Sequence, residues 1–250
     1  MIKRNKSVVI VGGAGQLGKA FVQACKNENM QVFVMDICNK KTWNKFNIVC
    51  DLFIQTDINN PQSLTDSINQ LTGSFDQIDC VVNASYPKNN NYGKTVFDLS
   101  IEDFNENVNL HLGGYFNVMQ KFSELFIQQG HGNIINIASI QGVLAPKFDH
   151  YEGTGMTSPI EYTAVKSAII AMSRYMAKYL SGKEIRVNCI SPGGILDDQP
   201  EKFLQRYKSS CINKGMLNAD DLVGTLIFLL SDNSKFINGQ NLIVDDGWSL

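Results

Sequence analysis

Two side chains that can exchange a proton with a small molecule stand four residues apart, Tyr162 and Lys166. On a helix this spacing puts both side chains on one face. A free tyrosine has a pKa near ~10, too high for a base at neutral pH, and a nearby ammonium group lowers that pKa by favouring the phenolate. Tyr179 and Lys183 share the spacing, so the pair alone does not identify an active site.

A serine distinguishes the first pair from the second. Ser139 follows a predicted strand at 133–138, where a doubly wound sheet places the groups that face its ligand. Its hydroxyl can hydrogen-bond a substrate carbonyl or hydroxyl beside Tyr162. Tyr179 has no comparable neighbour, and we expect it at the surface or in an interface. Ser139, Tyr162 and Lys166 therefore predict proton exchange with a substrate oxygen.

A glycine-rich loop links the first predicted strand, 7–11, to the first predicted helix, 16–27. The sequence GGAGQLG at 12–18 fits G-x-x-G-x-x-G. Glycines permit a tight turn and let the backbone approach a pyrophosphate, whose charge then lies at the helix N-terminus. The loop residues that we expect to bind a dinucleotide are Gly12, Gly15, Gln16, Leu17 and Gly18.

An acidic residue, Asp36, ends the second predicted strand. A carboxylate there can accept hydrogen bonds from both ribose hydroxyls of the adenosine half, and it repels a 2′-phosphate. This favours NAD over NADP. Lys40 and Lys41 lie close by in sequence and are the opposing indication, because either could reach a phosphate.

The rest of the chain alternates short β-branched apolar runs with segments of helical periodicity. Strands are predicted at 7–11, 31–35, 53–55, 80–82, 133–138, 185–190 and 241–244. Helices are predicted at 16–27, 62–71, within 102–129, at 159–180 and at 219–230. This pattern predicts an α/β fold, a single-domain doubly wound (Rossmann) fold over 1–250 with a seven-stranded parallel sheet and helices on both faces. Two segments without clear periodicity, 141–159 and 194–214, are predicted to be loops that hold the substrate.

Composition excludes several classes of function. The net charge is −2, from 22 basic and 24 acidic residues, so we expect no nucleic-acid partner and no binding to an anionic membrane. The apolar runs are too short to span a bilayer, and the N-terminus does not resemble a signal peptide, which predicts a cytoplasmic protein. The six cysteines are scattered, with no metal-ligand spacing to a histidine, so we predict reduced thiols and no metal site.

Taken in order, these motifs resemble the short-chain dehydrogenase/reductase family over nearly the whole chain. The resemblance rests on the glycine loop, Ser139 and the Tyr162/Lys166 pair. Further matches are Thr-Asp-Ile at 56–58, Val-Asn-Leu at 108–110 and Pro-Gly at 192–193, and Val-Asn-Ala-Ser at 82–85 matches in part. It implies further cofactor contacts from Asp57, Ile58, Asn83, Ala84, Ser85, Tyr162, Lys166, Pro192, Gly193 and Ile195.

The same resemblance implies a role for each catalytic residue. Tyr162 would exchange a proton with the substrate oxygen, and Lys166 would lower the pKa of Tyr162 while binding the nicotinamide ribose. Ser139 would orient the substrate oxygen, and Asn109 would hold a water that links Lys166 to solvent. Hydride would move between the nicotinamide and the substrate carbon.

Three residue choices depart from the family pattern. Val11 stands where a threonine usually braces the glycine loop, and Ser85 replaces a glycine near the nicotinamide. The spacing of the glycines is more typical of the family's extended branch, whose members carry an added substrate domain. The last predicted strand ends at residue 244, which leaves no room for such a domain.

The segments 151–156 and 191–195 are similar to members associated with flagellin modification and surface-glycan sugars. This predicts a sugar phosphate or nucleotide sugar as substrate, with Tyr151 lining the pocket, although a loop aromatic packed on the fold explains Tyr151 equally well. The alternative substrate is a 3-oxoacyl thioester on acyl carrier protein, reduced with NADPH. An alternative of another class is a non-catalytic NAD-sensing regulator. The segment 239–248 resembles the family's C-terminal packing segment and suggests a homo-oligomer, a tetramer or a dimer.

Overall fold

A sheet of seven parallel strands forms the centre of the computed structural model, which describes residues 6–250. Its strands are β1 Ser7–Val11, β2 Gln31–Asp36, β3 Leu52–Gln55, β4 Cys80–Asn83, β5 Gly132–Ile137, β6 Ile185–Pro192 and β7 Asn241–Val244. The spatial order is β3-β2-β1-β4-β5-β6-β7. The predicted single-domain doubly wound fold is confirmed, with strand ends displaced by at most two residues.

The order of the strands creates a crevice above β1. β1 pairs with β2 on one side and with β4 on the other, so that Val9 lies opposite both Phe33 and Val81. The chain winds outward from β1 to β3 and then crosses back to β4. At such a reversal the connections leave the carboxyl ends of the central strands in opposite directions, and a ligand can enter between them.

Helices cover both faces of the sheet. They are α1 Gln16–Asn27, α2 Lys40–Asn44, α3 Pro61–Ser74, α4 Ile101–Val108, α5 Gly114–Gln129, α6 Ile160–Tyr179, α7 Glu201–Ser209 and α8 Val223–Leu230. Alternate side chains of β1 face the two cores on opposite sides of the sheet. Val9 packs in one core with Phe122 of α5, and Ile10 packs in the other with Phe21 of α1. Every residue of β1 is buried, as expected for a central parallel strand.

Three helical details differ from the predictions. A π-helical turn, Asn109–Gly113, interrupts the long helix predicted within 102–129. The segment predicted as a loop at 194–214 contains α7, which begins after Pro200 and buries Phe203 and Tyr207, one helical turn apart. The short helix α2 was not predicted; the Asn39 side chain caps it by accepting a hydrogen bond from the amide of Thr42.

No helix within residues 6–250 is both long enough and apolar enough to cross a membrane. The six cysteines are free thiols, and three of them, Cys25, Cys80 and Cys189, are buried. Burial raises the pKa of the Cys25 and Cys80 thiols to about 12, so both carry their protons at neutral pH.

Candidate active site

Two adjoining cavities open along the carboxyl edge of the sheet. The first, of about 520 Å³, lies over β1, β2 and β3, and the second, of about 540 Å³, lies over β5 and β6. Both are lined by Gly15, Ala84, Ser85 and Tyr86, so they form two halves of one crevice. The crevice is where the strand order predicts a ligand.

The first cavity brings together residues predicted to bind the adenosine half of a dinucleotide. It is lined by Gly12, Asp36, Asp57 and Ile58. The Asp36 carboxylate accepts hydrogen bonds from the backbone amides of Ala14 and Cys38, each at 2.9 Å. Asp36 therefore braces the glycine loop. The apolar side chain of Val11 cannot form such a hydrogen bond. Each carboxylate oxygen has a second lone pair with which to accept from a ribose hydroxyl.

Close packing of the backbone requires the glycines of the loop. Gly12 has φ +78°, and a Cβ there would lie 2.7 Å from the Cα of Ser85; a Cβ on Gly18 would lie 2.1 Å from the carbonyl oxygen of Gly12. Gly15 caps α1 without a side-chain hydrogen bond, which leaves first-turn amides for a phosphate. These residues would hold the pyrophosphate of NAD or NADP.

Ser85 is accommodated by its neighbour Asn83. The Ser85 hydroxyl donates to Asn83 Oδ1 at 2.6 Å, and the Ser85 amide donates to the same oxygen at 3.2 Å. Asn83 Nδ2 is buried and has no hydrogen-bond partner within residues 6–250. Asn83, a predicted cofactor contact, lines neither cavity, whereas Ala84 and Ser85 line both.

The second cavity contains Ser139, Tyr162 and Lys166, together with the predicted Pro192, Gly193 and Ile195. Lys166 is buried and donates from Nζ to the carbonyl oxygen of Ile137 at 2.9 Å. Its Nζ lies 5.6 Å from the centre of the Tyr162 ring. The three residues that the sequence predicts to act in proton transfer thus line one cavity. The glycine loop borders the same cavity through Gly15.

The pKa of Tyr162 differs from expectation. Burial raises it above its ordinary value, and a hydrogen bond with Ser139 lowers it only in part. Burial also lowers the pKa of Lys166, to about 7. The predicted lowering of the Tyr162 pKa by Lys166 is not found, because both groups are withdrawn from water and the ammonium itself is destabilised.

Asn109 does not join this group. It is exposed, lies at the start of the π turn, and lines neither cavity. The buried face of this helical segment carries Asn107, His111 and Tyr115 instead, at intervals of four residues. Two residues along a helix correspond to roughly 200° of rotation, which turns Asn109 away from Lys166. His111 is the side chain that lies close enough to Lys166 for its charge to affect the histidine.

Tyr151 lines the same cavity as the catalytic residues. Its hydroxyl accepts a hydrogen bond from Gln141 Nε2 at 3.2 Å, and Gln141 Oε1 accepts from the Ser158 hydroxyl at 2.9 Å. The backbone amide of Gln141 in turn donates to Ser139 Oγ at 3.2 Å. The predicted placement of Tyr151 in the pocket agrees with the structure, which adds Gln141 as a link from the loop to the catalytic serine.

Other residues of the second cavity were not predicted. The aromatic side chains of Phe203, Tyr207 and Trp248 form its far wall, with Tyr207 stacked on Trp248 at 5.8 Å between ring centres. Phe203 and Tyr207 are one turn apart, a pattern that could have revealed α7. Gln16, which was predicted, donates from Nε2 to the carbonyl oxygen of Leu196 at 2.6 Å and so ties the glycine loop to this wall.

Comparison with known proteins identifies the class of enzyme. A family model described as enoyl-(acyl carrier protein) reductase matches residues 12–249. The chain belongs to the short-chain dehydrogenase/reductase family, and it is an oxidoreductase with the fold and the dinucleotide crevice of that family.

Three known proteins show how similar the chain is to individual members of the family. The chain is 41% identical over 254 residues to the post-translational flagellin modification protein A of Campylobacter coli, covering 98% of this chain and 99% of that protein. It is 27% identical to a 3-oxoacyl-[acyl-carrier-protein] reductase of Thermotoga maritima, covering 97% of each. The solved short chain dehydrogenase of Leptospira borgpetersenii serovar Hardjo-bovis, with bound NAD⁺, has a TM-score of 0.87 and 32% identity, covering 99% of this chain and 94% of that one.

The glycine loop offers a direct test of the cofactor half of the crevice. Gly18→Ala places a methyl group against the Gly12 carbonyl, so we expect at least a tenfold loss in NADH affinity and a loss of about 1–3 kcal/mol in the free energy of unfolding. Titration of NADH fluorescence and urea denaturation measure the two effects.

Gly73→Ala is the matched control, because a Cβ there meets nothing within 4 Å. In α3 an alanine is the better helix former, and we expect stability to stay equal or to rise by up to about 1 kcal/mol with NADH affinity unchanged. Equal losses in both variants would contradict the close packing assigned to Gly18.

Proposed function

We propose that this enzyme transfers a hydride between NAD(H) and a carbonyl or secondary alcohol of a sugar phosphate or nucleotide sugar, in the biosynthesis of a surface glycan or a flagellin modification. The observation that carries the proposal is the placement of Ser139, Tyr162 and Lys166 in a cavity continuous with the glycine loop. The likeness to a flagellin modification protein supports the choice of pathway.

The chain's own residues supply the acid–base half of the reaction. Because burial raises its pKa, Tyr162 holds its proton at neutral pH and is suited to donate it to a carbonyl oxygen. Ser139, which bonds Tyr162, orients that oxygen and stabilises the charge that develops on it. Lys166, with a pKa of about 7, returns a proton to the Tyr162 oxygen. The nicotinamide, when bound, supplies or accepts the hydride.

The walls of the second cavity support a hydroxyl-rich substrate. The polar side chains of Tyr151, Gln141 and Gln199 can hydrogen-bond hydroxyl groups, and the rings of Phe203 and Trp248 can pack on the apolar face of a sugar. A phosphate or nucleotide group would extend from the mouth of the cavity. Helix α7, which carries the exposed Lys202, would border that group.

NAD is proposed as the preferred cofactor because the Asp36 carboxylate lines the adenosine cavity and would repel a 2′-phosphate. Lys88 also lines this cavity, with its Nζ 5.8 Å from the Tyr86 ring centre, and is the cation within it that a phosphate would meet. We expect the negative charge of Asp36 to outweigh the positive charge of Lys88 and to set the preference for NAD over NADP.

Removing that charge tests the preference. Asp36→Asn keeps a side-chain acceptor for the glycine loop and removes the repulsion, so we expect the ratio of NADPH to NADH affinity to rise about tenfold or more. Fluorescence titration with each nucleotide measures the ratio. Asp66→Asn, an equal charge change on the exposed face of α3, should leave it unchanged, and tighter binding of NADPH by the original chain would refute the assignment.

The tyrosine tests the mechanism. Tyr162→Phe removes the hydroxyl that exchanges a proton, so we expect kcat to fall by about 100-fold or more, with NADH affinity within about threefold. Tyr179→Phe is the control: it changes the exposed tyrosine of the second Tyr-x-x-x-Lys match, which stacks on Tyr175. Turnover retained by Tyr162→Phe would exclude this mechanism.

The substrate class is tested by NADH-linked turnover across keto sugars, keto sugar phosphates, nucleotide-linked keto sugars and 3-oxoacyl thioesters. The proposal expects the sugar derivatives to react faster. Faster reaction of the thioesters would favour the 3-oxoacyl carrier-protein reductase, to which the 27% identical relative belongs. A non-catalytic NAD-sensing regulator would turn over none of them while still binding NADH.

We also propose that the enzyme is cytoplasmic and forms a homo-oligomer, a dimer or a tetramer. Exposed apolar side chains on α6 and at the C-terminus, among them Tyr175, Tyr179 and Leu250, support association between copies. Light scattering distinguishes the states.

A further inference from the structure

Helices α4 and α6, with the π turn between α4 and α5, enclose a strip of buried polar side chains beside the catalytic cavity. We define this polar seam as Asn107 and His111 on one side and Glu161 and Lys166 on the other. All four are at most 3% exposed. Asn107 Nδ2 donates to Glu161 Oε1 at 3.5 Å. Burying four such groups is costly unless each one is hydrogen-bonded.

Two atoms of the polar seam lack that compensation. His111 Nε2 and Glu161 Oε2 are buried with no hydrogen-bond partner within residues 6–250. Buried polar atoms are rarely left unsatisfied, and an ordered water is the usual partner where protein supplies none.

His111 lies at the catalytic end of the polar seam. Its ring contacts the Tyr86 ring at 5.0 Å and the Tyr115 ring at 5.5 Å between centres, and Lys166 Nζ lies 5.7 Å and 5.3 Å from the same two ring centres. Histidine and lysine therefore share both aromatic neighbours. Burial and the charge of Lys166 hold the pKa of His111 well below 6.5, so its imidazole is neutral at pH 7.

The other end of the polar seam reaches the surface. Asn107 Oδ1 accepts from the amide of Asn89 at 2.9 Å, and Asn89 Nδ2 donates to the exposed Glu106 at 2.7 Å. The hydrogen bonds of Asn107 thus extend from the buried Glu161 to the surface, on the helix face that Asn109 does not occupy.

We propose that His111 is the positioning residue for Lys166, and that it holds the water through which Lys166 exchanges protons with solvent. The proposal rests on the proposed function and reassigns to His111 the part implied for Asn109. In carbonyl reduction Tyr162 loses its O–H proton to the substrate oxygen, Lys166 Nζ loses one to the Tyr162 oxygen, and water at His111 restores the proton on Nζ. Oxidation runs the same transfers in reverse.

Two substitutions at one position separate this role from a structural one. His111→Leu fills the site but removes both ring nitrogens, so we expect kcat to fall roughly 10- to 100-fold with KM within about threefold. His111→Asn retains a donor and an acceptor, and we expect it to recover kcat to within about threefold. Turnover is followed with the carbonyl compound that the unchanged chain reduces fastest.

Thermal unfolding provides a readout independent of activity. Leucine replaces a buried nitrogen that no described protein group satisfies with an apolar side chain, so we expect the Tm of His111→Leu to be equal to or higher than that of the original chain. A residue retained only for packing would show the opposite pattern, with lower Tm in both variants and no recovery of kcat by asparagine. That pattern would overturn the proposal.

Asn109→Ala tests the competing assignment, with Asn105→Ala as an exposed control on α4. We expect both variants to keep kcat. If Asn109→Ala loses kcat while His111→Leu keeps it, the role belongs to Asn109. If His111→Leu keeps kcat while Tyr162→Phe loses it, the His111 inference alone fails; if Tyr162→Phe also keeps kcat, the proposed function fails with it.

Discussion

The carbonyl oxygen of Ile137, at the last residue of β5, is the point on which the geometry of the catalytic cavity depends. It accepts hydrogen bonds from Lys166 Nζ at 2.9 Å and from the hydroxyl of Tyr115 at 3.0 Å. The same hydroxyl lies 3.0 Å and 3.2 Å from the carbonyl oxygens of Asn83 and Ser85. One fully buried tyrosine therefore joins the ends of β4 and β5 to the loop that follows β4, and it fixes where Lys166 can point.

The cofactor half of the crevice depends on the same strand ends. The backbone at Ser85 is packed so closely against Gly12 that no side chain fits between them. A shift of the β4 end would therefore move the glycine loop, and Asp36 would lose its hold on Ala14. The parallel register Val11↔Asn83 keeps β1 and β4 aligned at this height. The same set of backbone contacts would therefore position both the adenosine and the nicotinamide half of a bound cofactor.

The hydrophobic periodicity of the segments and their order along the chain were enough to predict the sheet. Buried parallel strands are short β-branched runs, and the connections between them are helical. The crevice, its glycine loop, Asp36 and Ser139 followed from where the strands end, and Tyr162 and Lys166 from their four-residue spacing on a helix. Asn109 was predicted from a motif match, which ignores rotation about the helix, and the buried face through Asn107, His111 and Tyr115 leaves it outside both cavities. Contacts between distant segments, such as that of Gln16 with Leu196, leave no local pattern in sequence.

The predicted lowering of the Tyr162 pKa by Lys166 is not found, for a related reason. Spacing in the sequence indicates that two side chains lie close together, whereas the pKa of each depends on everything that surrounds it. Here burial opposes charge on both groups, so the phenol stays protonated and the amine is close to losing its proton. Such a pair is poised to give protons rather than to hold charge. Negative charge that develops on a substrate oxygen would then be met by the hydroxyls of Tyr162 and Ser139, which can donate hydrogen bonds to it. A lysine with so low a pKa also makes folding less favourable as the pH falls from about 10 to 7, because the unfolded chain binds that proton more tightly. A shifted pKa beside a cavity is typical of functional residues, and Lys166 lines the cavity that also contains Ser139 and Tyr162.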